Sequence, residues 1–80
     1  MLDDLKSSHK VVGVKQSVKA IEGGTVKMVF IACDADEKIV NSIKLLCQNN
    51  SVQFVSVDTM KQLGKACEIE VGAAVACLLK

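Results

Sequence analysis

The chain has no arginine, tryptophan, tyrosine or proline, and its only aromatic residues are Phe30 and Phe54. Many proteins that bind single-stranded nucleic acids stack bases on aromatic side chains or on arginine planes, so we do not expect that mode of binding here. Ten lysines and nine acidic residues leave a formal charge of +1 at pH 7. Affinity from bulk positive charge is therefore disfavoured, and any nucleic-acid binding must depend on where individual lysines lie.

Long apolar runs are also absent. None approaches the roughly 18 residues that a membrane-spanning helix needs, and the first four residues include two acids instead of the basic start of a signal peptide. Half of the 80 residues are apolar, which suffices for one packed core but not for two. We expect a single cytoplasmic domain over residues 1–80, and nothing in its charge suggests more than a monomer.

Four cysteines, at positions 33, 47, 67 and 77, form no Cys-x-x-Cys pair, and only His9 could join them as a metal ligand. This spacing is not that of a zinc site. Each cysteine lies in or beside an apolar segment, where a free thiol behaves as a small apolar side chain. We predict reduced, buried, structural thiols, and we expect neither a metal nor a cofactor.

The spacing of the apolar residues predicts alternating strands and helices. In chain order we predict a short helix at 2–8, a strand at 10–13, a helix at 15–22, a strand at 25–33, a helix from the caps at 34–36 to 49–50, a strand at 52–57, a small helix after 58–59, and a strand at 73–79. Short links between strands and helices favour parallel pairing, with helices on both faces of the sheet. The fold class is therefore α/β, a three-layer α/β/α sandwich around a four-stranded mixed sheet.

A glycine turn precedes the helix at 15–22, in the sequence Gly13-Val14-Lys15-Gln16-Ser17-Val18-Lys19. Lys15 and Lys19 share one helix face. Free N–H groups at a helix start attract a phosphate, and a nearby lysine adds positive charge. On these residues alone, the simpler interpretation is a turn followed by a solvated face, and an anion site is the alternative.

The segment that joins the small helix to the last strand alternates acidic and apolar residues. Ile69 and Val71 alternate there with Glu68 and Glu70. If the two acids face solvent, the two apolar side chains face either the core or a partner. In an α/β layer this loop and the turn at Gly13 can lie at the same end of the sheet, so the two segments could form one surface.

Three blocks of sequence resemble the signature of a known family. They are Gly13-Val14-Lys15-Gln16-Ser17-Val18-Lys19-Ala20-Ile21-Glu22-Gly23-Gly24, Val29-Phe30-Ile31-Ala32-Cys33-Asp34-Ala35-Asp36, and Leu63-Gly64-Lys65-Ala66 followed by Ile69-Glu70-Val71-Gly72-Ala73-Ala74. In this order and spacing they resemble the ribosomal protein L-seven-Ae (L7Ae) family, and most closely its small bacterial members. The resemblance extends from Lys10 to Leu79.

The resemblance implies an α/β/α sandwich that binds kink-turns, which are bent RNA elements with a short bulge followed by tandem sheared G·A pairs. It also implies that Lys15, Gln16 and Lys19 meet the sheared guanines in the major groove. Lysine can donate to guanine O6 and N7, and the amide of Gln16 can both donate and accept. Lys19 can contact phosphate as well. Archaeal and eukaryotic members carry Asn-Glu where this chain has Lys15-Gln16.

The third block of the family supplies an apolar loop that packs against a flipped-out bulge nucleotide and selects among RNA targets. By position this loop is Ile69, Glu70 and Val71. The family usually has a glycine at the position of Glu68, and we expect the larger acid to change the loop geometry or repel phosphate, with a modest loss of affinity. The predicted RNA-binding residues are Gly13, Val14, Lys15, Gln16, Lys19, Lys65, Glu68, Ile69, Glu70 and Val71.

The predicted partner is an RNA that contains a kink-turn, in ribosomal RNA or a riboswitch, and neither DNA nor a membrane. No catalytic arrangement is visible in the sequence, so we predict that the chain is not an enzyme.

Two alternatives to the RNA-binding function remain. One is a protein-binding scaffold of the same fold that uses the Ile69 to Val71 loop, and the other is a thiol enzyme or redox sensor at Cys33 or Cys67, which would need an exposed thiol of lowered pKa.

Overall fold

The computed structural model describes residues 9–80. The helix predicted over residues 2–8 lies outside these residues. The described elements are β1 (Lys10–Val12), α1 (Val14–Glu22), β2 (Val26–Ala32), α2 (Glu37–Asn49), β3 (Phe54–Val57), α3 (Met60–Ala66) and β4 (Val75–Leu79). Each corresponds to a predicted element, with ends that differ by about two residues or fewer.

The four strands form one mixed sheet in the order β1-β4-β2-β3. Strand β4 is antiparallel to both β1 and β2, whereas β2 and β3 are parallel. The mixed sheet is confirmed, but the parallel pairing favoured by the short links holds only for β2 and β3. As a result β1, β2 and β3 all end, and β4 begins, at one edge of the sheet, which we call the carboxyl edge. Each helix directly follows one of these three strands and therefore starts at this edge.

Alternate residues of the strands face two separate cores. One core, between the sheet and the helices α1 and α2, contains Ile21, Val26, Val29, Ile31, Ile43, Cys47, Val75 and Cys77. The other, between the sheet and α3, contains Phe30, Ala32, Val57, Leu63, Cys67, Ala73, Ala76 and Leu78. Since β2 and β4 contribute to both cores, they are apolar on both faces, as expected for covered central strands. The predicted three-layer α/β/α sandwich is confirmed.

The helices begin with different caps. The Asp36 side chain accepts a 2.8 Å hydrogen bond from the Lys38 N–H at the start of α2, and the Thr59 hydroxyl accepts one of 3.0 Å from the Gln62 N–H in α3. Helix α1 starts instead at Gly13, whose φ of 105° suits glycine, and no side chain among residues 9–80 caps it. The backbone N–H groups of its first turn are therefore available to an external acceptor.

The four cysteines are free thiols, but they are not all buried. Cys47, Cys67 and Cys77 lie in the cores, whereas Cys33 is exposed. The prediction of a buried Cys33 was wrong because this residue lies just past the end of β2, beyond the helices that cover the sheet. Burial raises the pKa of Cys77 to about 11, and it also raises the pKa of Cys47 and of Cys67.

Within residues 9–80 no helix is long and apolar enough to cross a membrane.

Candidate functional site

A backbone hydrogen bond joins the two segments that the sequence singled out. The N–H of Gly13 donates to the carbonyl oxygen of Val75 at 2.9 Å, directly beyond the pair formed by Val12 and Ala76. The start of α1 and the loop that leads into β4 therefore meet at the carboxyl edge. We call this loop, residues 67–74, the return loop, because it runs back from the end of α3 to that edge.

Helix α1 presents three polar side chains at this edge. Lys15, Gln16 and Lys19 are exposed, and Ser17 on the opposite face is buried against the sheet. Lys15 and Lys19 are one helical turn apart and project from the same side. With the uncapped N–H groups of the first turn, this helix start offers amide donors, two ammonium groups and one carboxamide to a ligand.

Val14 has different surroundings from the other predicted residues of α1. Its half-buried side chain packs against the core under α1 and α2. Together with Val18 it lines one side of an apolar groove of 380 Å³, and Ile39 and Ile43 lie on the α2 side. Gly13 is a turn residue whose N–H and carbonyl groups are already bonded, to the Val75 carbonyl and the Ser17 N–H, so it contributes to the site by shaping the helix start.

The return loop begins with a Schellman motif at the end of α3. The N–H of Glu68 donates to the carbonyl of Lys65 at 3.0 Å, and the N–H of Ile69 donates to the carbonyl of Gly64 at 3.0 Å. This motif requires a left-handed residue after the helix cap, and Glu68 has a φ of 62°. Glutamate therefore occupies a position that favours glycine, which gives a physical reason for the glycine expected there.

The return loop then packs tightly against α3. The main chain of Gly64 lies against the carbonyl group of Val71, where a Cβ atom would overlap the oxygen. Further along, the N–H of Ala73 donates to the carbonyl of Met60 at 3.0 Å. The loop backbone is thus held along the whole length of α3.

The outer surface of the return loop is partly apolar. The side chain of Val71 is 70% exposed, and Glu68 and Glu70 are exposed beside it. Ile69 is half-buried and packs against the core under α3. A pocket of 320 Å³ lies between the loop and α3, lined by Lys61, Lys65, Ile69, Glu70, Val71 and Gly72.

The structure thus brings the predicted residues Lys65, Ile69, Glu70 and Val71 together around one pocket. It adds Lys61, which the sequence analysis missed. The spacing of Lys61 and Lys65, four residues apart in a predicted helix, was a signal that could have identified it. The predicted residues of α1 do not line this pocket, and the link to them is the contact of Gly13 with Val75.

Metal binding has no support in this part of the molecule. No group of His, Cys, Asp or Glu side chains within residues 9–80 is arranged to hold a metal ion. The predicted site residues offer lysine ammonium groups, one carboxamide, two exposed carboxylates and an apolar loop, beside the backbone amides of the α1 start. These groups can bind a ligand by hydrogen bonds, ion pairs and apolar contact.

These features define an α/β/α domain with a polar helix start and an apolar loop at the same edge of its sheet. The chain belongs to the ribosomal protein L7Ae/L30e/S12e/Gadd45 family, whose model matches residues 2–80. The family expected from the three sequence blocks is confirmed. The relatives described below are called RNA-binding proteins and not enzymes, which agrees with the prediction that the chain is not an enzyme.

Two bacterial relatives match most of the chain. The RNA-binding protein TTE2299 of Caldanaerobacter subterraneus subsp. tengcongensis is 48% identical over 67 residues, which cover 84% of this chain and 82% of that protein. The RNA-binding protein YbxF of Geobacillus stearothermophilus is 38% identical over 76 residues, or 95% of this chain and 93% of that protein.

Two solved structures share the fold. A 15.5kD RNA-binding protein of Giardia lamblia superposes with a TM-score of 0.91 at 30% identity, covering 99% of this chain and 70% of the other. A protein of unknown function from Bacillus halodurans C superposes with a TM-score of 0.89 at 22% identity, covering 99% of this chain and 83% of the other. The second likeness bears on the fold alone.

Proposed function

We propose that the protein binds kink-turn RNA at the carboxyl edge of its sheet and stabilises the bent form. In this proposal Lys15, Gln16 and Lys19 contact the tandem sheared G·A pairs, while Ile69, Glu70 and Val71 contact the bulge nucleotide. The observation that carries the proposal is the hydrogen bond from Gly13 to Val75. It places the polar start of α1 beside the start of β4, where the return loop ends, so a single bent RNA can reach both segments.

Recognition would depend on the donors of α1. A guanine in a sheared pair keeps its O6 and N7 atoms free in the major groove, and both atoms accept hydrogen bonds. Lys15 and Lys19 supply ammonium donors, and the Gln16 carboxamide supplies a donor and an acceptor. In an extended RNA duplex with Watson–Crick pairs the same guanine atoms lie in a deep, narrow major groove that side chains cannot reach.

The return loop would supply the apolar contact. Val71 is 70% exposed, and an unstacked base at the bulge can cover it without an aromatic platform. Aliphatic packing of this kind fits a chain that lacks tryptophan and tyrosine. Lys65, beside the pocket of the return loop, would contact phosphate, and Gly13 would act by holding the start of α1 next to β4.

The bending of the RNA follows from the difference in affinity. A protein that binds the bent form more tightly than the extended form shifts the RNA toward the bent form, and by no more than that difference allows. We also propose that the RNA is ribosomal RNA or a riboswitch. The protein would act there as a cytoplasmic monomer.

A gel-shift titration tests the proposal. One duplex contains a standard kink-turn, and the control duplex carries Watson–Crick pairs in place of the sheared G·A pairs, at one fixed salt concentration. We expect strong preference for the kink-turn. Equal or absent binding of both duplexes would contradict the proposal and would favour the alternative, a protein-binding scaffold that uses the exposed return loop.

A further inference from the structure

The side chain of Asp34 joins the end of β2 to the start of α3. Its Oδ1 atom accepts a 2.7 Å hydrogen bond from the backbone N–H of Met60, 26 residues further along the chain. Met60 is the first residue of α3, so its N–H has no acceptor within the helix. A carboxylate at this position satisfies that donor and faces the positive end of the helix dipole.

Met60 in turn holds the second half of the return loop. Its carbonyl oxygen accepts the 3.0 Å hydrogen bond from the Ala73 N–H. Its side chain packs on Gly72, where an added Cβ would lie 3.1 Å from the Met60 Cβ. The position of the loop therefore depends on Met60, and the position of Met60 depends on Asp34.

Helix α3 needs an anchor because it has only seven residues. A helix of that length is not stable by itself in water and relies on tertiary contacts. Leu63 buries one face of α3, and the Thr59 cap is local to the helix. Asp34 ties the first residue of α3 to the segment just after the central strand β2, and this fixes the start of the helix at the carboxyl edge.

We infer that Asp34 is a positioning residue for the return loop: through Met60 it holds the loop where RNA can contact it and α1 together. The inference rests on the proposed function, because the loop position affects binding only if the loop contacts the bulge nucleotide. Asp34 itself need not touch the RNA. The important group is an oxygen acceptor at Oδ1, and the negative charge is not required.

Three variants separate the acceptor from the charge. Asp34→Ala removes both, Asp34→Asn keeps an oxygen acceptor without the charge, and Asp58→Ala removes another exposed acid at the same edge as a control. Each is titrated with the kink-turn duplex and with the same duplex carrying an abasic bulge nucleotide. The ratio of the two dissociation constants measures the contact made by the loop. A general loss of folded protein affects both constants equally and cancels in this ratio.

We take the ratio as the dissociation constant for the abasic duplex divided by that for the intact kink-turn duplex. We expect Asp34→Ala to reduce this ratio by about 3- to 10-fold, the usual effect of one lost hydrogen bond. Asp34→Asn and Asp58→Ala should keep the wild-type ratio. An unchanged ratio in Asp34→Ala would overturn the inference. An equal loss in Asp34→Asn would overturn it as well, because the charge and not the acceptor would then be the cause.

A measurement on the free protein separates this inference from the proposed function. Amide hydrogen exchange at Met60 and Ala73 should be faster in Asp34→Ala than in the wild type, Asp34→Asn or Asp58→Ala. If the wild type does not prefer the kink-turn duplex, the proposed function fails, and the exchange rates still decide whether Asp34 holds the loop. Unchanged exchange at both amides in Asp34→Ala would overturn that role.

Discussion

The main chain of Gly64 contacts the carbonyl group of Val71 so closely that no side chain fits between them. Gly64 is buried within α3, whereas the side chain of Val71 is 70% exposed. One side of the return loop is thus fixed to the helix backbone, and the other side presents an apolar group to solvent. An apolar side chain on a fixed backbone can bind a partner with little loss of conformational entropy.

Replacing Gly64 by alanine should displace the return loop, because the added methyl group and the Val71 oxygen cannot occupy the same space. We expect the free energy of unfolding to fall by about 1–3 kcal/mol, as in other overpacked sites, and kink-turn binding to weaken. Urea unfolding and a gel-shift titration measure the two effects. Gln62→Ala, at an exposed position of the same helix, should change neither. Wild-type stability and affinity in Gly64→Ala would contradict the close contact.

Replacing Glu68 by glycine should stabilise the protein. The φ of 62° at Glu68 costs a residue with a side chain about 1 kcal/mol relative to glycine, and part of this gain is offset by the greater freedom of glycine in the unfolded chain. We expect an increase of about 0.5–1 kcal/mol in the free energy of unfolding. Tighter RNA binding should accompany it, since an acid near phosphate is removed.

The variant Glu68→Gln separates these two effects. It removes the charge and keeps a side chain at the left-handed position, so it should raise RNA affinity without raising stability. Urea unfolding and binding titrations at one salt concentration compare the three proteins. A Glu68→Gly protein that is less stable than the wild type would show that the strain at this position is not the dominant effect.

The elements of this fold could be predicted because each has a local signal. Helix α2 lies between the caps at Asp36 and Asn50, and the apolar segment that forms β2 is covered on both faces. The direction of β4 has no such signal. Its apolar residues fit either direction equally, and the antiparallel pairing with β2 results from the return loop, which carries the chain back along α3.

The candidate site was partly predictable for the same reason. The glycine turn and the lysines of α1 are visible as a motif, and the alternation of Ile69 and Val71 with acids marks the loop. The left-handed conformation of Glu68 has no signal in its own residue type, because glutamate rarely adopts it. The hydrogen bond from Met60 to Asp34 joins residues 26 positions apart, so no local pattern could show it.

Lys15→Ala and Lys19→Ala should each weaken kink-turn binding and leave the melting temperature unchanged, because both side chains are exposed. We expect a loss of about 1–3 kcal/mol for a lysine that donates to a guanine. Gel-shift titration measures the loss. Lys27→Ala, an exposed lysine of β2 on the far side of the sheet from the carboxyl edge, is the matched control and should bind as the wild type does. Wild-type affinity in both α1 variants would count against this site.

Lys61→Ala and Lys65→Ala should act on the salt dependence of binding. Both lysines border the pocket beside the return loop, where they can neutralise phosphates without reading bases. Each variant should reduce the slope of log K against log salt by about 1, with similar losses for kink-turn and control duplexes. Titrations at four salt concentrations give the slope. A loss confined to the kink-turn duplex would instead indicate contact with a base.

The buried thiols should make the stability of the protein fall at high pH. The folded chain keeps the proton on Cys77 up to a pKa of about 11, whereas the unfolded chain loses it near the ordinary value of 9.0. Between these two values the unfolded state binds fewer protons, so rising pH favours unfolding. Urea unfolding from pH 8 to 11 should therefore show decreasing stability, and Cys77→Ala should lose part of that decrease.

In thiol labelling of the folded protein at neutral pH, the exposed Cys33 should react rapidly and the three buried cysteines slowly. Cys33→Ser should abolish the rapid reaction and leave the pH dependence intact, and a second rapidly labelled thiol would contradict the burial of the other three.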